Sequence, residues 1–199
     1  MTITEIRTHA ASDAALDPTA FASFAASFGG ELITPSDSRY EEARHVWNSM
    51  IDKYPALIAR CAGTADVVAA LRFARAQGLE IATRGGGHNV AGNAVNNGGI
   101  VIDLSLMKEI DVDPDRRVAR AQAGVVWGEL DRETQRYGLA TPGGVVSSTG
   151  IAGFTLSGGM ALTTSKWGLA CDNLLSVEIV TADGSVLEAS TTEHPDLFW

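Results

Sequence analysis

The residues best suited to chemistry in this 199-residue chain lie in one short run, Arg84-Gly85-Gly86-Gly87-His88-Asn89. Glycine lets a backbone approach another group closely, and successive N–H groups turned inward form a nest that suits phosphate oxygens. Arg84 would add a charge-assisted contact to the same oxygens. The spacing suits a tight turn without a ligand equally well, and both readings stand at this point. Three better-known arrangements are excluded. A dinucleotide fingerprint needs glycine three residues past Gly87, where Val90 stands. Gly87 and Gly92 have the outer spacing of a P-loop, but Asn93 and Ala94 replace its Lys and Ser/Thr. Gly-x-Ser-x-Gly, the nucleophile elbow, does not occur. His9, His45, His88 and His194 are scattered without the spacing of metal ligands.

A second glycine-rich region follows at Pro142-Gly143-Gly144, Gly150, Gly153 and Gly158-Gly159. The elements that must hold these loops are legible. Ala56–Cys61 is an apolar run of strand length, and Thr64 reads as the N-cap of a helix with Asp66 in its first turn. Val67, Val68, Leu71 and Ala74 recur at helical spacing up to Gly78, and Leu79–Thr83 is strand-like, so 56–84 reads as a β-α-β unit. Ile100–Leu104 reads as a buried strand. Ile110–Val112 and Val118–Ala121 flank a turn at Asp113-Pro114-Asp115. Trp127–Tyr137 is a helix stopped by Gly138, and Ser176–Val180 pairs with Ser185–Ala189 across Ala182-Asp183-Gly184. Ahead of these, Phe21, Phe24 and Phe28 share one face of a short packing helix ended by Gly29-Gly30. No long βαβα series appears, so the fold class is α+β.

Composition narrows the function. At 45% hydrophobic and 20% charged, the chain is of ordinary globular type. No run of about 18 apolar residues occurs, which argues against a membrane helix, and Met1–Asp17 lacks the regions of a secretory signal. A net charge of −9 disfavours nucleic acid as a partner. Cys61 and Cys171 are too few and too far apart for a disulfide framework. A cytoplasmic location is expected. Trp47, Trp127, Trp167 and Trp199 read as core or lobe-interface residues.

Taken together, Arg84–Gly92, then Gly143-Gly144-Val145-Val146-Ser147-Ser148-Thr149-Gly150-Ile151-Ala152-Gly153 with Leu156-Ser157-Gly158-Gly159, then Trp167–Leu175, resemble three ordered motifs of berberine-bridge-type oxidases in the vanillyl-alcohol oxidase superfamily. The closing Asp196-Leu197-Phe198-Trp199 also looks like that family's segment. The resemblance implies a two-lobed, PCMH-type FAD-binding domain over 45–199, with lobes at 45–104 and 105–199, preceded by a helical and extended segment at 1–44. It implies a covalent link from His88 to the flavin's 8α-methyl carbon. Arg84, Gly85, Gly86, Gly87, His88, Asn89 and Gly92 would surround the pyrophosphate. Thr149, Gly150, Gly153, Gly158 and Gly159 would pack on the dinucleotide, and Val180 would touch its adenine or flavin edge. The cysteine of a second link falls at about Val146, so a single link is expected; Cys171 comes some twenty-five residues too late. Relatives are typically more than twice this length, so a substrate domain and its catalytic base are expected to lie outside the chain, which alone should turn over almost nothing and tend to self-associate. The implied reaction is oxidation of a small alcohol, sugar or amine, with hydride passing to FAD and oxygen as acceptor. An FAD subunit of a multi-component dehydrogenase and a non-catalytic flavodomain are the alternatives.

Overall fold

The computed structural model describes residues 17–199; residues 1–16 of the N-terminal segment lie outside them. Helix α1 (Pro18–Ser27) starts where Asp17 Oδ1 accepts the Thr19 N–H at 2.8 Å, with proline in the first turn where no donor is needed. Strand β1 (Glu31–Ile33), helix α2 (Tyr40–Arg44), strand β2 (Leu57–Arg60), helix α3 (Thr64–Ala76), strand β3 (Ile81–Arg84) and strand β4 (Ile100–Asp103) follow. The four strands form one sheet in the order β1-β2-β4-β3, in which β1 is antiparallel and the other pairs are parallel. Residues 31–33, ahead of residue 45, are thus part of this layer, since Leu32 pairs with Ala59.

The β-α-β reading of 56–84 holds for the connection, but β4 sits between its two strands, with Ile100 level with both Leu57 and Ile81. The reason is in β4 itself. Ile100-Val101-Ile102-Asp103 is buried at every position, and a strand covered on both faces belongs at the centre of a parallel sheet. Alternate residues serve opposite layers. Leu57, Ala59, Ile100 and Ile102 pack under α1 and α3, where the Phe24 and Phe73 rings stack at 4.5 Å. Ile58, Ala82 and Val101 meet Ile33, Tyr40 and Val95 on the other side.

Helix α3 ends as expected. Gly78 takes φ +64°, its N–H reaches Arg75 O, and the Leu79 N–H reaches Ala74 O. Its start differs: the N-cap is Gly63, and the Thr64 hydroxyl donates instead to Glu178 Oε1 at 2.7 Å. The Asp66 carboxylate looks away from the helix, accepting the N–H of Ala62 just before the cap and the N–H of Gly29 after α1, at 2.9 Å each.

The second half contains the hairpin β5 (Ile110–Asp113) and β6 (Val118–Ala121), helix α4 (Trp127–Gln135), helix α5 (Ile151–Leu156), helix α6 (Thr164–Trp167), a 3₁₀ turn at Cys171–Asn173, the hairpin β7 (Ser176–Val180) and β8 (Val186–Ser190), and helix α7 (Pro195–Phe198). Its small core is built on Val125, Trp127 and Leu130, with Phe154 edge-on to the indole. Of the four tryptophans, Trp127 lies in the core at 2% exposed, and Trp47, Trp167 and Trp199 are outside it.

Both cysteines are free. Burial beside β2, with Asp66 and Asp103 adding repulsion, pushes the Cys61 thiol up to about 12. Because the thiolate is the reactive form, a thiol reagent at pH 8 should modify Cys171 readily and Cys61 only after unfolding. Equal labelling of both in native protein would contradict this burial.

Candidate functional site

The site begins where β3 ends. Arg84, the last residue of β3, turns its guanidinium onto Asp103 at the end of β4, with Nη2 2.8 Å from Oδ2. The same carboxylate oxygen meets Arg60 Nε at 3.3 Å, and Oδ1 accepts the Ser105 N–H at 3.0 Å. The Asp103 side chain is 1% exposed. Arg84 therefore ties together the strand ends under the glycine loop, where the sequence suggested a direct phosphate contact. A cleft of about 200 Å³ above this pair is lined by Arg60, Arg84, Gly85, Gly86, Gly87 and His45, among others.

Past Arg84 the chain runs as open loop. Among the described residues, the N–H groups of Gly85, Gly86, Gly87, His88 and Asn89 donate to no protein acceptor. Five consecutive free donors, three of them on glycine and with Gly87 at φ +70°, are available to an anion. The loop is braced from outside. Asn89 O accepts the Gly92 N–H and Asn89 Oδ1 accepts the Asn93 N–H, closing a turn after the imidazole. Lys53 Nζ donates to Gly92 O at 2.8 Å and to Val95 O at 3.1 Å.

The second glycine-rich region meets the first directly. Gly86 and Gly150 are so close that a Cβ on Gly86 would stand 2.2 Å from Gly150 N. Thr149 and Gly150 are held by an isolated bridge to Val126, in which the Trp127 N–H reaches Thr149 O and the Ile151 N–H reaches Val125 O. This contact brings two hydroxyls to His88: Ser148 Oγ lies 3.0 Å from Nε2, and Thr149 Oγ1 lies 3.4 Å from Nδ1. Trp47 stacks on the imidazole at 5.1 Å and 21°, its own N–H donating to Gly87 O at 3.1 Å. Burial holds His88 below its ordinary value, which favours the neutral ring. A neutral imidazole keeps one nitrogen lone pair, which is what a nucleophile needs.

The remaining sequence candidates are spread more widely. Gly153, on α5, faces open space, with no atom within 4 Å of an added Cβ. Gly158 and Gly159, at φ +96° and +79°, form a turn against Leu169, Ala170 and Phe154. Val180 lines a different, apolar cleft of about 230 Å³ with Val67, Leu71, Ile102 and Met107. Val146 is exposed and carries no thiol, and Cys171 packs by its N–H on Gly158 O. Trp47 and Ser148 were not picked out from the sequence as partners of His88. They lie 41 and 60 residues from it, and no local pattern links positions that far apart.

A family described as the FAD binding domain matches residues 55–190. The (R)-6-hydroxynicotine oxidase of Paenarthrobacter nicotinovorans is 43% identical over 173 residues, which is 87% of this chain and 38% of that protein. The crystal structure of 6-hydroxy-D-nicotine oxidase from Arthrobacter nicotinovorans superposes with a TM-score of 0.85 at 43% identity, over 87% of this chain and 38% of that one. Glucooligosaccharide oxidase from Acremonium strictum, described with a 6-S-cysteinyl, 8α-N1-histidyl FAD, is 30% identical with a TM-score of 0.82, over 90% of this chain and 38% of that one. The chain thus spans well under half the length of these relatives. The two glycine-rich loops that meet at His88 both fall inside the matched 55–190 segment, and the chain belongs to the FAD-binding-domain family of FAD-linked oxidoreductases.

Proposed function

We propose that this chain is the flavin-binding portion of an oxidase that carries FAD through a single covalent bond to His88. The observation that carries the reading is the five consecutive unpartnered N–H groups of Gly85–Asn89 ending beside a neutral, ring-stacked histidine. A pyrophosphate fits the nest because it brings acceptors and negative charge where the protein has only donors. Bound FAD would supply a ring that accepts hydride from a substrate. The work of the chain's own residues is to hold and orient. Gly85, Gly86 and Gly87 offer their N–H groups to the phosphates, Arg84 fixes the loop base through Asp103, and Asn89 and Gly92 close the turn after His88. Thr149, Gly150, Gly153, Gly158, Gly159 and Val180 are assigned to the dinucleotide's flanks, with 45–104 and 105–199 as the two lobes.

Forming the bond would take one proton from a His88 nitrogen and one from the flavin's methyl carbon, and the two electrons left over would pass to dioxygen, giving hydrogen peroxide. A single link follows because Val146 has no sulfur to offer. The substrate class is a small alcohol, sugar or amine, supported by relatives named for 6-hydroxynicotine and for glucooligosaccharides. Two free thiols fit a reducing, cytoplasmic compartment, and no helix among the described residues is long and apolar enough to cross a membrane. Exposed Val145, Leu156, Met160, Leu162 and Trp167 support self-association of the isolated chain; light scattering should show assemblies larger than one chain, and a monodisperse monomer would contradict that part.

The direct test of the flavin site is titration of the full chain, prepared without flavin, with FAD. Trp47 should lose fluorescence in step with saturable binding of one FAD per chain. A chain that leaves FAD fluorescence and its own emission untouched overturns the reading.

A further inference from the structure

Both nitrogens of the His88 ring face hydroxyls, yet the two contacts are unequal. Ser148 Oγ is at hydrogen-bond distance from Nε2, 3.0 Å, whereas Thr149 Oγ1 stands 3.4 Å from Nδ1, at the long end of a useful bond. Trp47 covers one face of the ring. The ring is thus held by its Nε2 edge and one face, and its Nδ1 edge is the loosely held one. Ser148 is well placed to do this. Its own side chain is exposed and among the described residues bonds only His88, and the backbone beside it is pinned by Thr149 N–H on Val146 O, by the Val126 bridge and by the Gly86–Gly150 contact.

We propose that Ser148 is a positioning residue for the flavin link: its hydroxyl accepts the Nε2–H of His88, which selects the tautomer with the lone pair on Nδ1 and aims that atom out of the loop. The inference rests on the covalent reading above and adds to it the residue that makes the histidine competent. When Nδ1 forms a bond to carbon, the ring becomes an imidazolium, and the proton that must leave is the one on Nε2. Ser148 stands on that proton's path to water, so the same hydroxyl that selects the tautomer also passes the proton out. The Trp47 face lies within the range at which an aromatic ring stabilises a cation, and it favours the charge that builds on the imidazole.

The test compares Ser148→Ala with Ser148→Thr in the full chain. Each protein is prepared without flavin, mixed with FAD and followed by the mass of the denatured chain. Loss of orientation and tautomer should slow covalent incorporation by about tenfold or more in Ser148→Ala, while non-covalent FAD binding persists. Ser148→Thr, which keeps the hydroxyl, should stay within about threefold of the parent. Ring-nitrogen NMR of the flavin-free protein supplies a readout independent of the bond. The parent should show His88 with Nε2 protonated and Nδ1 bare, and Ser148→Ala should show a mixture of tautomers. Incorporation in Ser148→Ala at the parent rate overturns the proposal, as does an unchanged tautomer. Should the parent gain no flavin mass, the covalent reading falls, and the NMR comparison alone decides what Ser148 does to the ring.

Discussion

Replacing Asp103 by alanine should destabilise the protein by about 3–5 kcal/mol, the cost of leaving a buried charge without its partner. Asp103 lies at the end of the central strand with its side chain 1% exposed, and it faces Arg84, 8% exposed, at 2.8 Å. Removing the carboxylate strands the Arg84 guanidinium in the interior, frees Arg60 and leaves the Ser105 N–H without its acceptor. In a chain of this size about 1 kcal/mol moves Tm by about 2–4 °C, so a fall on the order of 10 °C is expected in a thermal melt. A further consequence separates this pair from an ordinary stabilising contact. Arg84 is joined directly to Gly85, so loosening it should also weaken FAD binding by the surviving folded protein. A Tm within about 3 °C of the parent would show that the pair is not what holds the strand ends.

The second large effect is steric. Gly86→Ala places a Cβ 2.2 Å from Gly150 N and 2.6 Å from Gly150 Cα, a clash with backbone that no rotamer change relieves. Overpacking of this kind costs about 1–3 kcal/mol and more where both sides are main chain, so about 3 kcal/mol is expected here. The two loops must then separate, and His88 loses its contacts with Ser148 and Thr149. Gly153→Ala is the informative contrast, since its new methyl meets nothing within 4 Å. On a helix, that change should leave Tm equal or slightly higher. If Gly153 packs on the dinucleotide as proposed, Gly153→Ala should lower FAD affinity without lowering Tm. Gly86→Ala should lower both, flavin or none. The reverse pattern would exchange the roles assigned to the two glycines.

Much of this was legible in the residue order, and the exceptions have physical causes. The short strands and α3 announce themselves through apolar runs, helical spacing and a stop glycine, all of which act over a few residues. Glycine-rich loops are conspicuous for the same reason. What local pattern cannot carry is which strand sits between which. The insertion of β4 between β2 and β3 depends on which strand is apolar on both faces, a comparison across 40 residues. Arg84 looks from the sequence like a phosphate ligand because it adjoins glycines. Only the sheet register, which sets Arg84 level with Asp103, reveals that its charge is already matched. Thr64 is a good N-cap by type, but Gly63 takes the cap position, its carbonyl accepting the Asp66 and Val67 N–H groups while the Thr64 hydroxyl turns to Glu178. The partners of His88 come from two segments far from it in the chain, Trp47 and Ser148-Thr149. They are assembled by the Trp47 N–H on Gly87 O and by the mutual fit of Gly86 and Gly150, neither of which leaves a mark on sequence spacing.

Whether His88 carries the flavin is read from the mass of the denatured full chain, purified from cells with an ample FAD supply. The expected result is a chain heavier than its sequence by one FAD with the hydrogens of the new bond lost, and a His88→Ala protein at the unmodified mass. A parent chain at the unmodified mass, or a His88→Ala chain that still carries the flavin through denaturation, would contradict it.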